Sequence, residues 1–501
     1  MAVECAPADA ESVGADPSGH WDVLIVGAGL SGIGAGWHLA TRCPQHTFAI
    51  LEARADLGGT WDLFRYPGIR SDSDMYTMSY GFRPWQGERG IAEGAAILEY
   101  LRETAREAGL LERILFGHRV VRAEWSSQRA LWTLEVERGA AREIVRLTCR
   151  FLLMCSGYYD YERPYLPELP GMQRFRGRIV HPQFWTPDID YAGKRVIVIG
   201  SGATAVTLVP ELAKTAAHVT MLQRSPTYII ARPTRDRLAR RLRGRVPARA
   251  AHAIVRWKNV LLGMFFFQLS RRRPQYVRGL ILRGVQRALG PDYDVATHFT
   301  PRYAPWDQRL CLAPDGDLFA AIRQGRVSVA TDRIETFTEH GVRLASGAEL
   351  EADLIVTATG LNLRLLGGVR LVVDGREVDL GRTLTYKGMM YSDVPNLASV
   401  FGYTNASWTL KADLTCRYVC RLLAYMHKRA YRMCVPRRAG AVAAAAPLID
   451  FSSGYVRRAL DRMPKQGARS PWKLHQNYVL DVIALGLRPL RDGVLRFYRN
   501  P

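Results

Sequence analysis

Uninterrupted apolar runs of strand length recur along the chain, and each of them ends at a glycine-containing turn. The clearest runs are Val23–Val26, Val196–Ile199 and Leu354–Thr357, and the sequence FLLMC at 151–155 forms another. Runs without polar alternation are typical of parallel strands that are buried on both faces. Helical patterns follow the first two runs directly. The chain is therefore predicted to be an α/β protein built from strand–turn–helix units.

The turn after the first run has the spacing of a dinucleotide-binding fingerprint. Its glycines form a GxGxxG sequence between a strand and a helix, and an acid ends the next apolar strand, 20 residues after the last glycine. Such glycines allow the backbone to approach a pyrophosphate at the helix N-terminus, and the acid binds ribose hydroxyls. Because the fingerprint occurs in its full context, we expect a dinucleotide to be bound by Gly27, Gly29, Ser31, Gly32 and Glu52.

The turn after the second run repeats the pattern with one difference. It reads GxGxxA, and the following strand ends in Gln223-Arg224-Ser225 instead of an acid. A cation at this position suits the 2′-phosphate of NADP, although an ordinary surface arginine is the alternative. An acid in the first unit and an arginine in the second imply FAD and NADPH respectively. The predicted NADPH-binding residues are Gly200, Ser201, Gly202, Ala203, Thr204, Ala205, Arg224 and Ser225.

Two strand-then-glycine ends, at Ser156-Gly157 and Thr359-Gly360, suggest where the chain crosses between two Rossmann-like dinucleotide-binding domains. We predict an FAD-binding domain in two pieces, residues 20–158 and 350–501, the second piece including the C-terminal segment. The NADPH-binding domain would occupy 159–349 and contain a basic helical insertion at about 235–290. Residues 1–19 are predicted to be a disordered leader.

Positive charge is concentrated in that insertion. The chain of 501 residues has 69 Lys and Arg against 47 Asp and Glu, and residues 235–287 contain fifteen of these cations against one acid, Asp236. An uncharged apolar run, residues 259–270, lies within this basic segment and is too short to span a bilayer. Two interpretations stay open: an insertion whose apolar side packs on the main body or closes a pocket, or an amphipathic element on an anionic membrane surface. Nucleic-acid binding is not expected, because no nucleic-acid-recognition motif accompanies the charge.

The remaining composition is that of a soluble globular protein of two or three domains, with 48% hydrophobic and 23% charged residues. The first 20 residues have no apolar segment of a signal peptide, and the eight cysteines include no CxxC pair. We therefore expect a cytoplasmic enzyme without a metal site, with peripheral contact at the inner face of the membrane left open. The oligomeric state is also open, a homo-oligomer included.

The chain resembles the class B flavoprotein monooxygenases, and within them the Baeyer–Villiger monooxygenases. Phe175, Gly177, His181 and Trp185 match the family sequence FxGxxxHxxxW, just before the second glycine turn. The tryptophan favours Baeyer–Villiger enzymes over related N- and S-oxygenating flavoproteins. One departure is Thr186, which follows the tryptophan where the family usually has Pro or Asp.

A second family signature fits the stretch GGTWDLFRYPGIRSD, residues 58–72, at every fixed position. The segments RYPGIRSDSDMY, PWDQRLCL and GYTNASWTLKADL further resemble the ethionamide-activating branch, and that similarity runs over nearly the whole chain after residue 20. The resemblance implies NADPH- and O₂-dependent insertion of oxygen next to a ketone carbonyl, with oxidation of sulfides as a companion activity. The alternative is an N- or S-oxygenating enzyme that uses a neutral hydroperoxyflavin as an electrophile.

The resemblance also implies site residues. Arg309 would stabilise a negatively charged oxygen adduct of the flavin, and Asp72 would orient it. Without the resemblance, a plain salt-bridge role for Arg309 explains the sequence equally well. Thr60, Trp61 and Val120 would contact FAD, and Arg70 and Ser71 would face the nicotinamide cofactor. His181 is interpreted as part of a linker that couples NADPH binding to domain movement, with a direct catalytic role as the alternative. A further set is proposed to line the substrate pocket: Tyr403, Asn405 and Trp408.

Overall fold

The computed structural model describes residues 19–438, 446–449 and 451–500. All but one residue of the predicted disordered leader, 1–19, lie outside this range. The strands are β1 His20–Val26, β2 Phe48–Leu51, β3 Ile114–Leu115, β4 His118–Ser126, β5 Leu131–Arg138, β6 Glu143–Met154, β7 Arg178–Val180, β8 Arg195–Ile199, β9 His218–Gln223, β10 Ile229–Arg232, β11 Cys311–Pro314, β12 Val327–Thr331, β13 Ile334–Phe337, β14 Gly341–Leu344, β15 Glu349–Glu351, β16 Leu354–Thr357, β17 Arg370–Val373, β18 Arg376–Glu377, β19 Thr385–Tyr386, β20 Met390–Tyr391, β21 Leu397–Ser399, β22 Met433–Pro436, β23 Ala446–Pro447, β24 Lys465–Gln466 and β25 Leu495–Tyr498.

The helices are α1 Leu30–Arg42, α2 Thr60–Leu63, α3 Met75–Met78, α4 Gly94–Glu107, α5 Ala203–Leu212, α6 Arg237–Leu242, α7 Ala248–Arg272, α8 Pro274–Leu289, α9 Val295–His298, α10 Asp317–Arg323, α11 Trp408–Lys428, α12 Gly454–Arg457 and α13 Tyr478–Asp481. A π-helical turn, Val482–Leu487, continues α13. Among the residues described above, no helix combines the length and the apolar content needed to cross a membrane.

Two sheets organise the molecule, as the α/β prediction requires. The first has nine strands in the order β18-β17-β4-β5-β6-β1-β2-β3, with β21 also paired to β6. The second has five parallel strands in the order β12-β9-β8-β16-β7. β1 and β8 are buried almost throughout, which explains their uninterrupted apolar sequences. Each is followed by a glycine turn and a helix, α1 or α5. We call the first sheet with its surrounding elements the first domain, and the second sheet with its elements the second domain.

The domain boundary predicted at residues 349/350 is wrong. β16 pairs in parallel with both β8 and β7, so Leu354–Thr357 belongs to the second sheet. The chain returns to the first sheet only at β17, which pairs with β4. An apolar run shows that a strand is buried, but it does not specify which sheet receives it. The boundary therefore falls after Thr357.

Two crossing segments connect the domains and are hydrogen-bonded to each other. The outgoing segment is 155–165 and the returning one is 358–365. Backbone bonds join Asp160 N to Asn362 O and Arg364 N to Tyr158 O, both at 2.9 Å. The Thr359 hydroxyl donates to the Tyr165 carbonyl at 2.7 Å. The two crossings thus form one paired linker.

The basic insertion consists of α6, α7 and α8 and packs against the first domain through one side of α7. His252 Nε2 lies 2.9 Å from the Ser79 hydroxyl, and Asn259 Nδ2 donates to Asp74 Oδ1 at 2.9 Å. Arg256 donates to the carbonyl of Ser79 at 2.8 Å. The inner side of α7 is therefore attached largely by polar contacts, and the residues of its opposite side face outward.

We expect His252 to make the protein less stable in mild acid. Burial lowers the pKa of His252 to about 4, and the neighbouring Arg256 adds to this shift. An unfolded histidine has a pKa of about 6.5, so the unfolded state binds more protons between these two values. Stability is therefore lost as the pH falls through this window, by up to about 3 kcal/mol from this residue. Urea unfolding across a pH series should show a smaller loss for His252→Gln than for the wild type. Parallel curves for the two proteins would contradict the assignment.

Candidate active site

A cavity of about 600 Å³ lies between the two domains. Both domains contribute to its wall, and the glycine turn after β1 and the start of α5 lie on it. The predicted site residues that line it are Gly27, Gly29, Ser31, Glu52, Thr60, Trp61, Arg70, Ser71, Asp72, Val120, Ala203, Thr204 and Arg309. The other predicted nucleotide-binding residues belong to the two glycine turns or to the end of β9: Gly32, Gly200, Ser201, Gly202, Ala205, Arg224 and Ser225.

The first glycine turn has no room for side chains where it bends. Gly27 has φ +105°, and a Cβ there would lie 2.7 Å from the Cys155 carbonyl oxygen. A Cβ on Gly32 would lie 1.8 Å from the Gly27 carbonyl oxygen. Both obstacles are backbone atoms, so only glycine fits. The bare turn brings the N-terminus of α1 to the cavity wall, which is the arrangement that a pyrophosphate requires.

Glu52 follows β2 at the same end of the sheet and is buried. Its carboxylate accepts from the backbone N–H of Ala28 at 2.7 Å and of Arg54 at 2.9 Å. Burial is the largest effect on this group and raises its pKa. The carboxylate therefore braces the glycine turn, and it also reaches the cavity wall, where the ribose of a dinucleotide would lie.

The signature stretch 58–72 is folded around a buried acid. Asp62 accepts from both Arg54 and Arg65, each at 2.5 Å, which explains the opposite charges in this loop. Trp61, on the same helix, lines the cavity. At the Tyr66-Pro67-Gly68 turn, Gly68 has φ +73°, and a Cβ there would lie 2.9 Å from Glu211 Cβ of α5. The turn thus rests against the second domain.

Asp72 and Arg309 form a two-point ion pair at the cavity wall. Arg309 Nε lies 2.8 Å from Asp72 Oδ2, and Arg309 Nη2 donates to Oδ1 at 3.0 Å. The Asp72 carboxylate raises the pKa of Arg309 further above its already high value, against the effect of burial. About a third of each side chain is exposed, 36% for the arginine and 30% for the aspartate, and both line the cavity. The guanidinium is therefore fixed in direction and permanently charged.

Arg70 and Ser71 also line the cavity, beside Asp72. Arg70 Nη1 donates to Asp317 Oδ2 of α10 at 2.6 Å, a second ion pair across the two domains. The Ser71 hydroxyl donates to Met78 Sδ at 3.2 Å and accepts from the Ser73 N–H at 3.0 Å. The serine is thereby held in the loop that carries Asp72.

Aromatic side chains form the wall next to Arg309. Tyr158 and Trp408 stack with ring centroids 5.2 Å apart, and a narrow extension beside them is lined by Phe401, Tyr403 and Tyr455 together with Arg309. Tyr403 and Trp408 thus line the cavity, and their role in a substrate pocket stays a prediction. Tyr158 and Tyr455 were missed. Asn405 does not lie on the cavity wall; its amide donates to the Gln476 carbonyl at 2.9 Å.

The second glycine turn is similarly restricted. Gly200 has φ +139°, and a Cβ there would lie 2.3 Å from the Ala358 carbonyl oxygen. The Ser201 hydroxyl donates to the Ser225 carbonyl at 3.0 Å, which fixes the turn to the end of β9. Arg224 is exposed beside it. An exposed cation next to this turn suits a phosphate group.

The FxGxxxHxxxW residues lie along the paired linker and the second sheet. Phe175 and Trp185 are buried, and a Cβ on Gly177 would lie 2.6 Å from the Asp353 carbonyl oxygen. His181 Nε2 lies 3.2 Å from the Gly360 carbonyl of the returning crossing, and its Nδ1 accepts from the Gln183 N–H. Burial lowers the pKa of His181. This geometry connects the histidine to the linker and not to the Arg309 pair.

Comparison with known proteins identifies similar chains among the flavin-dependent monooxygenases. Residues 90–240 match the flavin-binding monooxygenase-like family, and residues 25–89 match the NAD(P)-binding Rossmann-like domain. The chain is 52% identical over 483 residues to the FAD-containing monooxygenase EthA of Mycobacterium tuberculosis (strain ATCC 25618 / H37Rv), covering 96% of this chain and 98% of EthA. It is 46% identical over 480 residues to the probable FAD-binding monooxygenase AlmA of Acinetobacter baylyi (strain ATCC 33305 / BD413 / ADP1), covering 95% of this chain and 96% of AlmA.

The chain therefore belongs to the class B flavin monooxygenase family. Within that family, its sequence places it in the EthA branch. The fold agrees with a solved steroid monooxygenase bound to NADP, with a TM-score of 0.74 at 22% identity over 96% of this chain and 99% of that one.

Proposed function

We propose that the protein binds FAD and NADPH and uses O₂ to convert a ketone into an ester, with oxidation of sulfides as a companion activity. One oxygen atom of O₂ is inserted between the carbonyl carbon and a neighbouring carbon. The other atom leaves as water, and NADPH provides the two electrons. The observation that carries this proposal is the Asp72–Arg309 pair at the cavity wall.

The two glycine turns suit the two cofactors. The bare turn at Gly27 and Gly29 would hold the FAD pyrophosphate, Glu52 would bind a ribose, and Val120 would lie along the adenine end. The second turn at Gly200 would receive NADPH. Bound FAD, once reduced by NADPH, would supply activated oxygen, and this chain's own residues would set its charge and direction.

Arg309 supplies what ester formation requires and sulfide oxidation does not. Attack on a carbonyl carbon needs a negatively charged oxygen nucleophile and produces an oxyanion on the former carbonyl. A guanidinium stabilises both, because it donates several hydrogen bonds and stays charged at every working pH. Asp72 holds two of its donor nitrogens, so the remaining donors point in a fixed direction. Sulfide oxidation uses an electrophilic oxygen and gains little from this charge.

The aromatic wall supports an apolar substrate. Tyr158, Tyr403 and Tyr455 surround the narrow extension next to Arg309. The resemblance to the ethionamide-activating branch implies linear or aryl methyl ketones as substrates. The aromatic side chains that line the main cavity beside Arg309, Tyr158, Tyr403 and Trp408, are compatible with apolar substituents of this kind.

NADPH as the reductant, and the free cysteines of the described chain, support a cytoplasmic site of action.

The test is product analysis with the purified flavoprotein. NADPH, air and a panel of linear and aryl methyl ketones should give esters, and one aryl sulfide should give its sulfoxide. Esters on the expected side of the carbonyl support the proposal. Sulfoxide alone, with NADPH consumed and every ketone recovered unchanged, would show the alternative N- or S-oxygenating enzyme.

Arg224→Ala should weaken the binding of NADPH without affecting the binding of NADH. Loss of a charge-assisted contact to the 2′-phosphate costs about 1.5–3 kcal/mol, so the KM for NADPH should rise about 10- to 100-fold. Steady-state oxidation of NADPH and of NADH measures the ratio of the two KM values. Arg323→Ala removes an exposed arginine at the C-terminal end of α10, away from the end of β9, and serves as the matched control. An unchanged preference for NADPH in Arg224→Ala would show an ordinary surface arginine.

A further inference from the structure

An exposed apolar stripe runs along the outer side of α7. Its residues are 44–66% exposed: Ile254, Trp257, Leu261, Leu262 and Phe265. Four of them recur at spacings of three or four residues, which places them on one face of the helix, and Leu262 lies beside that face. Side chains of this size are usually buried in a folded protein, so a contiguous row of them marks an interaction surface.

The C-terminal helix extends this stripe. Leu480, Ile483 and Leu487, in α13 and its π-helical continuation, are 40–75% exposed. The rings of Trp257 and Tyr478 are in contact, with centroids 5.6 Å apart, so α13 lies against α7 where the stripe runs. We call the eight exposed residues of the two helices the outer apolar surface.

The outer apolar surface is not a poorly packed part of the core. The inner side of α7 is buried at Val255, Asn259 and Val260, and polar contacts hold it on the first domain. Asp481 of α13 is likewise buried and accepts from Lys411 at 2.8 Å and from Tyr403 at 2.6 Å. Each helix thus has a fixed inner side and an apolar outer side.

Cations accompany the outer apolar surface. Residues 235–287 contain fifteen Lys and Arg and one acid. Of these cations, Arg256 faces the first domain, and Lys258 and Arg271 pair with Asp236 and Asp307. Arg272 is exposed about three turns beyond Leu261, on the same side of α7. Exposed Arg488 directly follows Leu487. An apolar face bordered by arginines, with a tryptophan and a phenylalanine on it, fits the boundary between acyl chains and anionic headgroups.

We infer that α7 and α13 dock this protein onto an anionic lipid bilayer, lying in the plane of the interface. An apolar protein partner would explain the stripe but not the excess of arginine. Docking would also bring the bilayer close to the cavity: Val260, on the inner side of α7, packs with Tyr403, which lines the cavity. A substrate dissolved in the bilayer would then have a short route to the site, a consequence that rests on the proposed function, whereas the docking itself does not.

Co-sedimentation with vesicles tests the docking. The flavin-loaded protein should bind phosphatidylcholine vesicles that contain about 30% phosphatidylglycerol, and bind pure phosphatidylcholine at least about tenfold less. Binding should weaken as salt rises, because salt screens the charge contribution. The double variant Leu262→Ser/Phe265→Ser should lose at least about tenfold in affinity for the anionic vesicles.

The matched control is Ile144→Ser, which removes an apolar side chain that is 55% exposed on β6, outside the two helices. It should bind like the wild type. Circular dichroism and the flavin spectrum show whether each variant is folded, and conversion of a water-soluble ketone should be equal in all three proteins. Absence of vesicle binding by the wild type, or equal binding by the double variant, overturns the inference. So does a dimer in light scattering that only the double variant loses, since the occupant would then be a second copy of the chain.

Discussion

Arg309→Ala will abolish ester formation and leave the reduction of FAD by NADPH intact. Asp72 fixes the guanidinium at the cavity wall. In the proposed reaction, negative charge would develop there during attack on the carbonyl. Removing a fixed donor of this kind typically costs about 100- to 1000-fold in kcat. Loss of the permanent charge adds to that cost, so product should fall below detection. Stopped-flow absorbance of the flavin measures reduction, and gas chromatography of the ester measures the product.

Two further variants show why ester formation is lost in Arg309→Ala. Arg309→Lys keeps a charge but cannot reproduce the two-point contact with Asp72, so it should recover only a small part of the activity. Arg343→Ala breaks the exposed Arg343–Glu335 pair of the second domain and should behave like the wild type. Undiminished ester yield in Arg309→Ala would reject the proposed chemistry, because no charge would then be needed at this point.

Gly32→Ala will prevent FAD binding. The added methyl group would lie 1.8 Å from the Gly27 carbonyl oxygen, and this oxygen belongs to the turn itself. Relief requires the turn to move away from α1, which removes the backbone from the pyrophosphate position. The variant should therefore purify colourless or lose its flavin at once on dilution. The flavin absorbance per protein chain measures the loss.

Gly284→Ala is the matched control for this change. Gly284 lies in α8, and a Cβ there would meet nothing within 4 Å. Alanine in an exposed helix stabilises by about 0.5–1 kcal/mol relative to glycine, so this variant should keep its full flavin content. A normal flavin content in Gly32→Ala would mean that the first turn is not the FAD-binding element.

The sequence was most informative where neighbours along the chain are also neighbours in space. The first glycine turn lies at the end of β1, and Glu52 lies at the end of the adjacent β2, because parallel strands present their carboxyl ends on one edge. Asp72 and Arg309 are 237 residues apart, and no local pattern could bring them together. Only the resemblance to a family indicated that they would meet; their proposed roles stay predictions.

Sequence reasoning did not find the features that depend on tertiary packing. The wall beside Arg309 takes Tyr158 from one crossing segment, Trp408 from the start of α11, and Tyr455 from α12. No periodicity relates these positions. The sheet that receives β16 was also misassigned, because an apolar run indicates burial but not which strands it pairs with. Composition found the basic insertion, but not the direction in which its apolar residues face.

The paired linker restricts how the two domains can move. A single strand of chain would let one domain swivel freely on the other. Here two crossings run side by side and are joined by backbone hydrogen bonds at Asp160–Asn362 and Tyr158–Arg364. Such a double connection would limit rotation of one domain against the other more than a single crossing would. A closure limited in this way would return the Arg309 guanidinium to the same place beside Asp72.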